Sequence, residues 1–103
     1  MKEVSGSLEE ALRGASLAVL EFGGEDCPVC LQLKKVLNEI EGEFKDVSFL
    51  YADVENVNNM GMFTVMSLPT TFLLADGMVV DTIIGAVSKQ TIREKIASLL
   101  YVR

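Results

Sequence analysis

The first 45 residues carry two kinds of apolar pattern. Leu17 to Phe22 is almost entirely apolar, which predicts a central strand covered on both faces. Apolar residues then recur at helical spacing, which predicts the buried stripe of a helix that begins at Cys27 or Pro28 and ends near Gly42. The members of this stripe are Val29, Leu33, Val36, Leu37, Ile40 and Phe44.

A capping signal and the short N-terminal segment predict the bounds of the other elements in the first half of the chain. The segment Ser7-Leu8-Glu9-Glu10 has the form of a capping box, which predicts a short helix from Leu8 to about Gly14. Only Met1 to Gly6 precede this helix, so we expect a first strand that is short or missing. A further strand is predicted at Val47 to Asp53.

Turn residues organise the second half. Asn56 to Met62 is polar and predicts a weak helix. Pro69 to Ala75 and Met78 to Ile84 predict two antiparallel strands joined by a turn at Asp76-Gly77. Ser88 is expected to cap a final helix. The inward-facing residues of that helix are predicted to be Ile92, Ile96, Leu99 and Leu100.

The order of these elements predicts an α/β fold in one domain that spans residues 1–103. It is (β)αβαβαββα, with the first strand in doubt. We expect the middle strands to be parallel because helical crossovers join them, and the last two strands to form a hairpin. The result is a three-layer structure in which helices cover both faces of a mixed sheet of four to five strands.

Composition narrows the functional classes. The chain has 103 residues, of which 50% are hydrophobic and 23% charged, as in a globular domain with its own core. A net charge of −6 argues against nucleic acid as a main partner. No apolar run is long enough for a membrane span or typical of a signal peptide, so we expect a cytoplasmic protein without membrane contact. A monomer is the expected oligomeric state.

The chain's only cysteines, Cys27 and Cys30, lie three residues apart. At the first turn of a helix, this spacing allows the two sulfurs to form and break a bond without unfolding of the protein. The buried strand, the short loop with Gly23 and Gly24, and the helix that opens at the cysteines form the sequence context of a redox pair. In the cytoplasm such a pair is expected to cycle rather than to stay oxidised.

Three other interpretations of the cysteine pair remain open. A structural zinc ion needs four ligands, and since the chain has no His and no further Cys, a second chain or carboxylates would have to supply the rest. An iron–sulfur cluster bridging two chains is the second possibility, and an inert pair of thiols is the third. We expect neither a metal nor a cofactor.

Five short segments together resemble the thioredoxin family over nearly the whole chain. In order, they are Val19-Leu20-Glu21-Phe22, Cys27-Pro28-Val29-Cys30, Ser67-Leu68-Pro69-Thr70, Asp76-Gly77 and Ile84-Gly85-Ala86. The resemblance implies a thioredoxin-like fold and thiol–disulfide oxidoreductase activity. It also implies that the Leu68–Pro69 bond is cis and that Pro69 packs beside the cysteines; the alternative is a trans proline that opens an edge strand.

The chain departs from the family pattern at four places. Asp26 stands where the family usually has tryptophan before the first cysteine, and Pro28-Val29 replaces the common Gly-Pro. The family's buried aspartate falls at Glu21, and the lysine often near that acid falls at Phe49. These differences leave the fold inference intact and put the redox class in doubt.

Four residues are the candidates for catalysis. Cys27 is the expected nucleophile, and Cys30 the more deeply buried thiol that resolves the mixed disulfide. The resemblance implies that Glu21 accepts the proton of Cys30, whereas the alternatives are an acid that reaches solvent at the sheet end or pairs with a lysine. Pro69 is expected to turn the backbone of the residue before it toward the sulfurs.

An extended substrate segment is expected to bind beside the cysteines, like an added strand. The small residues Gly85 and Ala86 would let it approach closely, and apolar side chains would form the rim of the groove. Gly85 has an alternative interpretation as an ordinary strand-to-helix turn. The residues expected to contact the substrate are Asp26, Pro28, Val29, Ser67, Leu68, Ile84, Gly85 and Ala86.

These features predict a small dithiol protein-disulfide oxidoreductase. The helix start favours the Cys27 thiolate and the carboxylates of Glu25 and Asp26 oppose it, which predicts a reductant rather than a strong oxidant. Its partners would be disulfide-containing proteins and a reductase that supplies electrons. One alternative is a glutaredoxin-like, glutathione-dependent reductase, which the acidic flank disfavours. The other is a non-catalytic interaction module with the same fold.

Overall fold

The computed structural model describes residues 1–58 and 60–102, which form five strands and three helices. The elements are β1 (Lys2–Ser7), α1 (Leu8–Leu12), β2 (Leu17–Gly23), α2 (Pro28–Glu41), β3 (Ser48–Asn58), β4 (Thr70–Ala75), β5 (Met78–Ile84) and α3 (Lys89–Leu99). All seven residues of β2 are buried, as its apolar sequence predicts. Within the described ranges, no helix is long and apolar enough to cross a membrane.

The five strands form one mixed sheet in the order β1-β3-β2-β4-β5. Strand β3 is parallel to both β1 and β2, whereas β4 is antiparallel to β2 and to β5. Helix α1 packs on one face of the sheet, and α2 and α3 pack on the other. The predicted three-layer α/β architecture is therefore confirmed.

The structure corrects three expectations for the elements of the sheet and their connections. Strand β1 is fully formed, since five of its six residues pair with β3 and the sixth, Ser5, lies at a register shift between Val4 and Gly6. The weak helix expected at residues 56–62 is wrong for the residues that can be described: β3 continues to Asn58 because Val57 and Asn58 pair with β1, and Gly61 and Met62 form a turn. Asn59 lies outside the described residues. Strand β4 then enters antiparallel to β2, so the expected parallel crossover into it is wrong as well.

Helix α2 begins where the sequence predicts. Cys27 is its N-cap, Pro28 occupies its first turn and Gly42 is its C-cap. Leu33, Leu37 and Ile40 are buried, as predicted, while Val36 and Phe44 are partly buried against the same core.

Two apolar residues at helix ends are misplaced by the sequence pattern. Val29 is 49% exposed, because it lies in the first turn of α2, where Cys30 takes the inward position. Leu100 is 43% exposed, because α3 ends at Leu99 and Leu100 is only its C-cap. The other inward positions of α3, including Ile92 and Ile96, are buried as predicted.

Candidate active site

Cys27 and Cys30 form a disulfide at the start of α2, with 2.09 Å between the sulfurs. Cys27 is partly exposed and Cys30 is fully buried, which confirms the predicted depth of the two side chains. As the N-cap, the Cys27 Sγ accepts a hydrogen bond from the backbone N–H of Cys30 at 3.1 Å. The helix start therefore directs a backbone donor at the outer sulfur, an arrangement that favours a negative charge there once the disulfide is reduced.

The Leu68–Pro69 peptide bond is cis, so the trans alternative is wrong. The Pro69 carbonyl accepts a hydrogen bond from the Gly85 N–H at 2.8 Å, which ties this loop to the segment after β5. Gly85 has a φ of +75°, a conformation that favours glycine. On the other side, the Leu68 Cδ1 atom lies 3.4 Å from the position that a Cβ on Gly24 would occupy. The loops that carry Leu68, Gly85 and the cysteines thus lie side by side.

Most of the predicted substrate-contacting residues are exposed around this junction. Strand register aligns Phe22 with Thr70 and Thr70 with Ile84, which places Ile84 at the sheet end from which the cysteine loop leaves. At this end of the sheet, Pro69 is buried and Gly85 is partly exposed. The exposed members are Asp26, Pro28, Val29, Ser67, Leu68, Ile84 and Ala86. Met66, in the loop before Pro69, is 89% exposed.

Glu21 is a buried acid within β2. Its side chain is inaccessible to solvent, and neither carboxylate oxygen has a hydrogen-bond partner among the described residues. Burial raises the pKa of Glu21 to about 8, and the positive charge of Lys34 opposes this increase. The alternative of an acid that reaches solvent is therefore wrong. Lys34 acts on Glu21 electrostatically, while its own ion-pair partner is Glu3.

Glu21 is the middle member of a polar row across the sheet. It faces Tyr51 on β3 and Thr71 on β4, and the Thr71 hydroxyl is also buried without a partner in the described structure. The resemblance placed the family's lysine, which often lies near this acid, at the position of Phe49. In the structure Phe49 faces Val19 instead. The neighbour of Glu21 on β3 is thus a tyrosine, which the motif comparison missed and strand alternation from Phe49 would have found.

The absent side chain of Gly23 makes room for Tyr51 beside Cys30. A Cβ on Gly23 would lie 2.2 Å from the Tyr51 hydroxyl oxygen and 3.0 Å from the Cys30 Cβ. The first distance is shorter than any real Cβ contact and the second is unusually tight, so packing requires glycine at position 23. The Tyr51 hydroxyl and the base of the Cys30 side chain consequently adjoin the same point of the backbone.

Lys34, on α2, is the second residue that the sequence analysis missed. Its ammonium nitrogen lies 4.5 Å from the centroid of the Tyr51 ring and 2.5 Å from a carboxylate oxygen of Glu3. Burial, followed by the charges of Glu21, Asp53 and Glu3, raises the pKa of Tyr51 to about 12, so the phenol stays neutral at ordinary pH. No local sequence pattern indicates this contact, because the packing of α2 on the sheet brings Lys34 to Tyr51.

Cavity size does not mark this site. A cleft of about 350 Å³ borders Glu25, Lys34 and Tyr51. A larger cavity of about 910 Å³ opens beside Ser16 and Asp76, at the opposite end of β2 from the cysteines. Among residues 1–58 and 60–102, no group of three His, Cys, Asp or Glu side chains could hold a metal ion.

Comparison with known proteins gives a consistent family assignment. The family model described as Thioredoxin matches residues 2–98. A thioredoxin of Listeria monocytogenes is 35% identical over 98 residues, which cover 93% of this chain and 95% of that protein. A thioredoxin of Bacillus subtilis is 36% identical over 87 residues, which cover 82% of each chain.

Solved structures agree with the fold. Plasmodium falciparum thioredoxin superposes with a TM-score of 0.83 at 22% identity, over 95% of this chain and 98% of that one. Trypanosoma brucei brucei thioredoxin superposes with a TM-score of 0.80 at 25% identity, over 96% and 89% of the two chains. The arrangement of strands and helices is therefore shared even where three-quarters of the residues differ.

Proposed function

We propose that this chain, which belongs to the thioredoxin family and is a dithiol–disulfide oxidoreductase, works in the reducing direction on disulfide bonds of other proteins. The observation that carries the proposal is the pair of sulfurs at the start of α2, one partly exposed and the other fully buried. A substrate can reach the outer sulfur, while the inner sulfur is reserved for the second step.

The proposed reaction consists of two thiol–disulfide exchanges. The thiolate of reduced Cys27 attacks one sulfur of the substrate disulfide, whose S–S bond breaks as a mixed disulfide forms. The first substrate sulfur leaves as a thiolate and takes a proton from water. Cys30 then loses its proton and attacks the Cys27 sulfur, which releases the second substrate thiolate. Two electrons pass to the substrate, and Cys27–Cys30 becomes the disulfide.

Glu21 is proposed as the group that takes the proton from Cys30. The geometry that supports this role is the burial of Glu21 in the strand that leads to the cysteine loop, with its carboxylate oxygens free of hydrogen bonds in the described structure. A carboxyl group with a pKa of about 8 has nearly the affinity of a thiol for a proton, so transfer between the two costs little. Replacement Glu21→Gln should therefore slow turnover with the fold intact, and unchanged rates across the pH range would dismiss the relay.

The substrate segment is proposed to lie in the groove between the cysteine loop, Leu68 and the segment after β5. Val29, Leu68 and Ile84 offer exposed apolar surface, and the glycine at position 85 leaves room for a backbone. An extended chain here would pair with the backbone of Leu68 and place its own disulfide over Cys27.

The remaining parts of the proposal concern the cellular setting. We propose that a reductase returns the Cys27–Cys30 disulfide to the dithiol, that the protein acts as a monomer in electron transport and cell redox homeostasis, and that it works in the cytoplasm. The sequence context of the cysteines, which is that of a pair expected to cycle, supports the redox part of this proposal.

Reduction of insulin by dithiothreitol, followed as turbidity, tests the activity. The wild-type protein should accelerate the reaction, and Cys27→Ser should reduce the acceleration to the background. Cys30→Ser should instead accumulate a mixed disulfide with insulin that survives non-reducing electrophoresis. An inactive wild-type protein would favour the interaction module over the enzyme. A reduction potential of the couple near −120 mV, rather than about −270 mV, would mark an oxidant.

A further inference from the structure

We propose that Lys34 is a positioning residue for the dithiol chemistry, because its fixed ammonium group is the counter-charge of Glu21 when that buried acid ionises. The proposal rests on the role of Glu21 given above. It assigns to a side chain of α2, outside the Cys-Pro-Val-Cys motif, control over when the inner thiol can lose its proton.

Two contacts and burial of its stem hold Lys34 in place. Its ammonium nitrogen lies over the Tyr51 ring at 4.5 Å from the centroid, a cation–π geometry. Its ion pair with Glu3 on β1 spans 2.5 Å. The side chain is 24% exposed, so most of its stem is packed. A lysine held at both sides in this way has a defined charge position, unlike a freely rotating surface lysine.

Tyr51 connects this lysine to the buried acid. On β3 it directly faces Glu21, and its hydroxyl ends beside Gly23 and the Cys30 Cβ. The ammonium group therefore lies over the ring of the residue that faces Glu21 across the strand pair. Since the Tyr51 phenol stays neutral, it adds no negative charge that would cancel the field of Lys34 at Glu21.

The other groups around Glu21 leave Lys34 as its stabilising charge. On β4 the neighbour is Thr71, which is uncharged. Glu3 and Asp53 act on Tyr51 as negative charges and could only oppose the ionisation of Glu21. Within the described residues, Lys34 is the cation that lowers the pKa of Glu21 against the effect of burial.

The consequence concerns one proton transfer. When Cys30 attacks the mixed disulfide, its S–H bond breaks, an O–H bond forms on Glu21, and the negative charge moves from the carboxylate to the sulfur. Glu21 must be ionised before this step. Lys34 keeps a usable fraction of Glu21 ionised at neutral pH, although complete burial would otherwise hold the acid protonated.

The test compares Lys34→Met with Lys35→Met in the oxidised full-length protein. Both variants remove one positive charge from α2, but Lys35 is exposed and takes part in none of the contacts above. The ¹³C shift of the Glu21 carboxyl is followed by NMR from pH 5 to 10. We expect Lys34→Met to raise the titration midpoint by roughly half to one pH unit, and Lys35→Met by less than about 0.2. Lys34→Arg, which keeps the charge and the ring contact, should restore the wild-type midpoint.

A midpoint in Lys34→Met that matches the one in Lys35→Met would overturn the proposal, as would a Lys34→Arg midpoint equal to that of Lys34→Met. If Lys34→Met fails to fold, Lys34→Gln is the substitute and is judged by the same shift. The midpoint is measured without turnover, so an inactive wild-type protein would refute the proposed function and leave this result readable. In the active protein, the pH profile of insulin reduction should move by the same amount in the same direction.

Discussion

On the face of the sheet covered by α1, β2 contributes Phe22 to an aromatic cluster with Phe63 and Phe72, in which the ring centroids lie 5.0–5.6 Å apart. On the face covered by α2, the same strand contributes Glu21 and Gly23. The two faces are separated by only the thickness of one strand. One is packed with rings, whereas the other holds a carboxyl group without hydrogen-bond partners in the described structure.

This difference separates stability from chemistry. The aromatic face gains free energy from burial and from ring contacts, and neither depends on pH. The polar row costs free energy, because a buried acid must either stay protonated without hydrogen bonds to water or ionise where water cannot solvate the charge. We infer that one face of β2 stabilises the fold and that the other serves the chemistry, and four substitutions test this difference.

Phe72→Ala should have the largest effect. Removal of a ring that is buried and contacts two others leaves a cavity, and the free energy of unfolding should fall by about 4 kcal/mol. Urea unfolding of the oxidised protein at pH 5 and pH 8 measures this. The loss should be equal at the two pH values, because no titratable group is involved; a loss at one pH only would erase the contrast between the faces. Phe72→Leu should cost less than half as much.

Glu21→Gln should stabilise the protein at alkaline pH. Folded Glu21 keeps its proton up to about pH 8, whereas the unfolded chain loses it near 4.5, so the folded state binds one more proton between these values. The stability of the wild type therefore falls as pH rises through this window, by an amount on the order of 3 kcal/mol. Gln does not titrate, so the variant should gain on the wild type from pH 5 to pH 8. Parallel urea-unfolding curves against pH would show that Glu21 is not a buried acid.

Gly23→Ala should be destabilising by about 2 kcal/mol. The new methyl group would overlap the Tyr51 hydroxyl, and Tyr51 is itself buried, so it has little room to move. Gly24→Ala is the matched control, since its methyl group would meet only Leu68 Cδ1 at 3.4 Å. Thermal unfolding of the two variants should differ by several degrees. Equal transition temperatures would mean that Tyr51 does not occupy this space.

The smallest effect is expected at Thr71, the third member of the polar row. Thr71→Val replaces a buried hydroxyl that has no partner in the described structure, and should stabilise the protein by about 1 kcal/mol. Thr70→Val is the control and should destabilise the protein, because the Thr70 hydroxyl donates a hydrogen bond to the Ser67 carbonyl at 2.6 Å. Urea unfolding distinguishes the two. Destabilisation by both variants would indicate that Thr71 has a partner in solution.

Local patterns predicted most of the fold because each depends on neighbours in the chain. Ser7 and Ser88 cap helices through bonds to residues three positions ahead, and Asp76-Gly77 closes its hairpin with two positive φ angles. Strand β1 was underestimated because six residues with little apolar character form a strand only when a partner is present. That partner is β3, almost fifty residues away, which also extended itself to Asn58 by the same pairing.

The sequence also predicted those parts of the site that depend on neighbouring residues. The cysteine spacing and Pro28 determine a helix start with one sulfur outward and one inward, and these belong to a single turn of chain. Tyr51 and Lys34 were missed because their importance lies in which residues they face, and facing residues are set by strand register and by how α2 lies on the sheet.

The spacing of the two sulfurs, the strand that leads to them and the acid within that strand could be read from the chain, because each depends on residues adjacent in sequence. The folded arrangement was needed to show that this acid is buried, that a tyrosine rather than a phenylalanine faces it, and that a lysine of α2 lies over that ring. The physical reason is that solvent exclusion and electrostatic fields depend on every group within several ångströms, and at this site those groups come from five different elements.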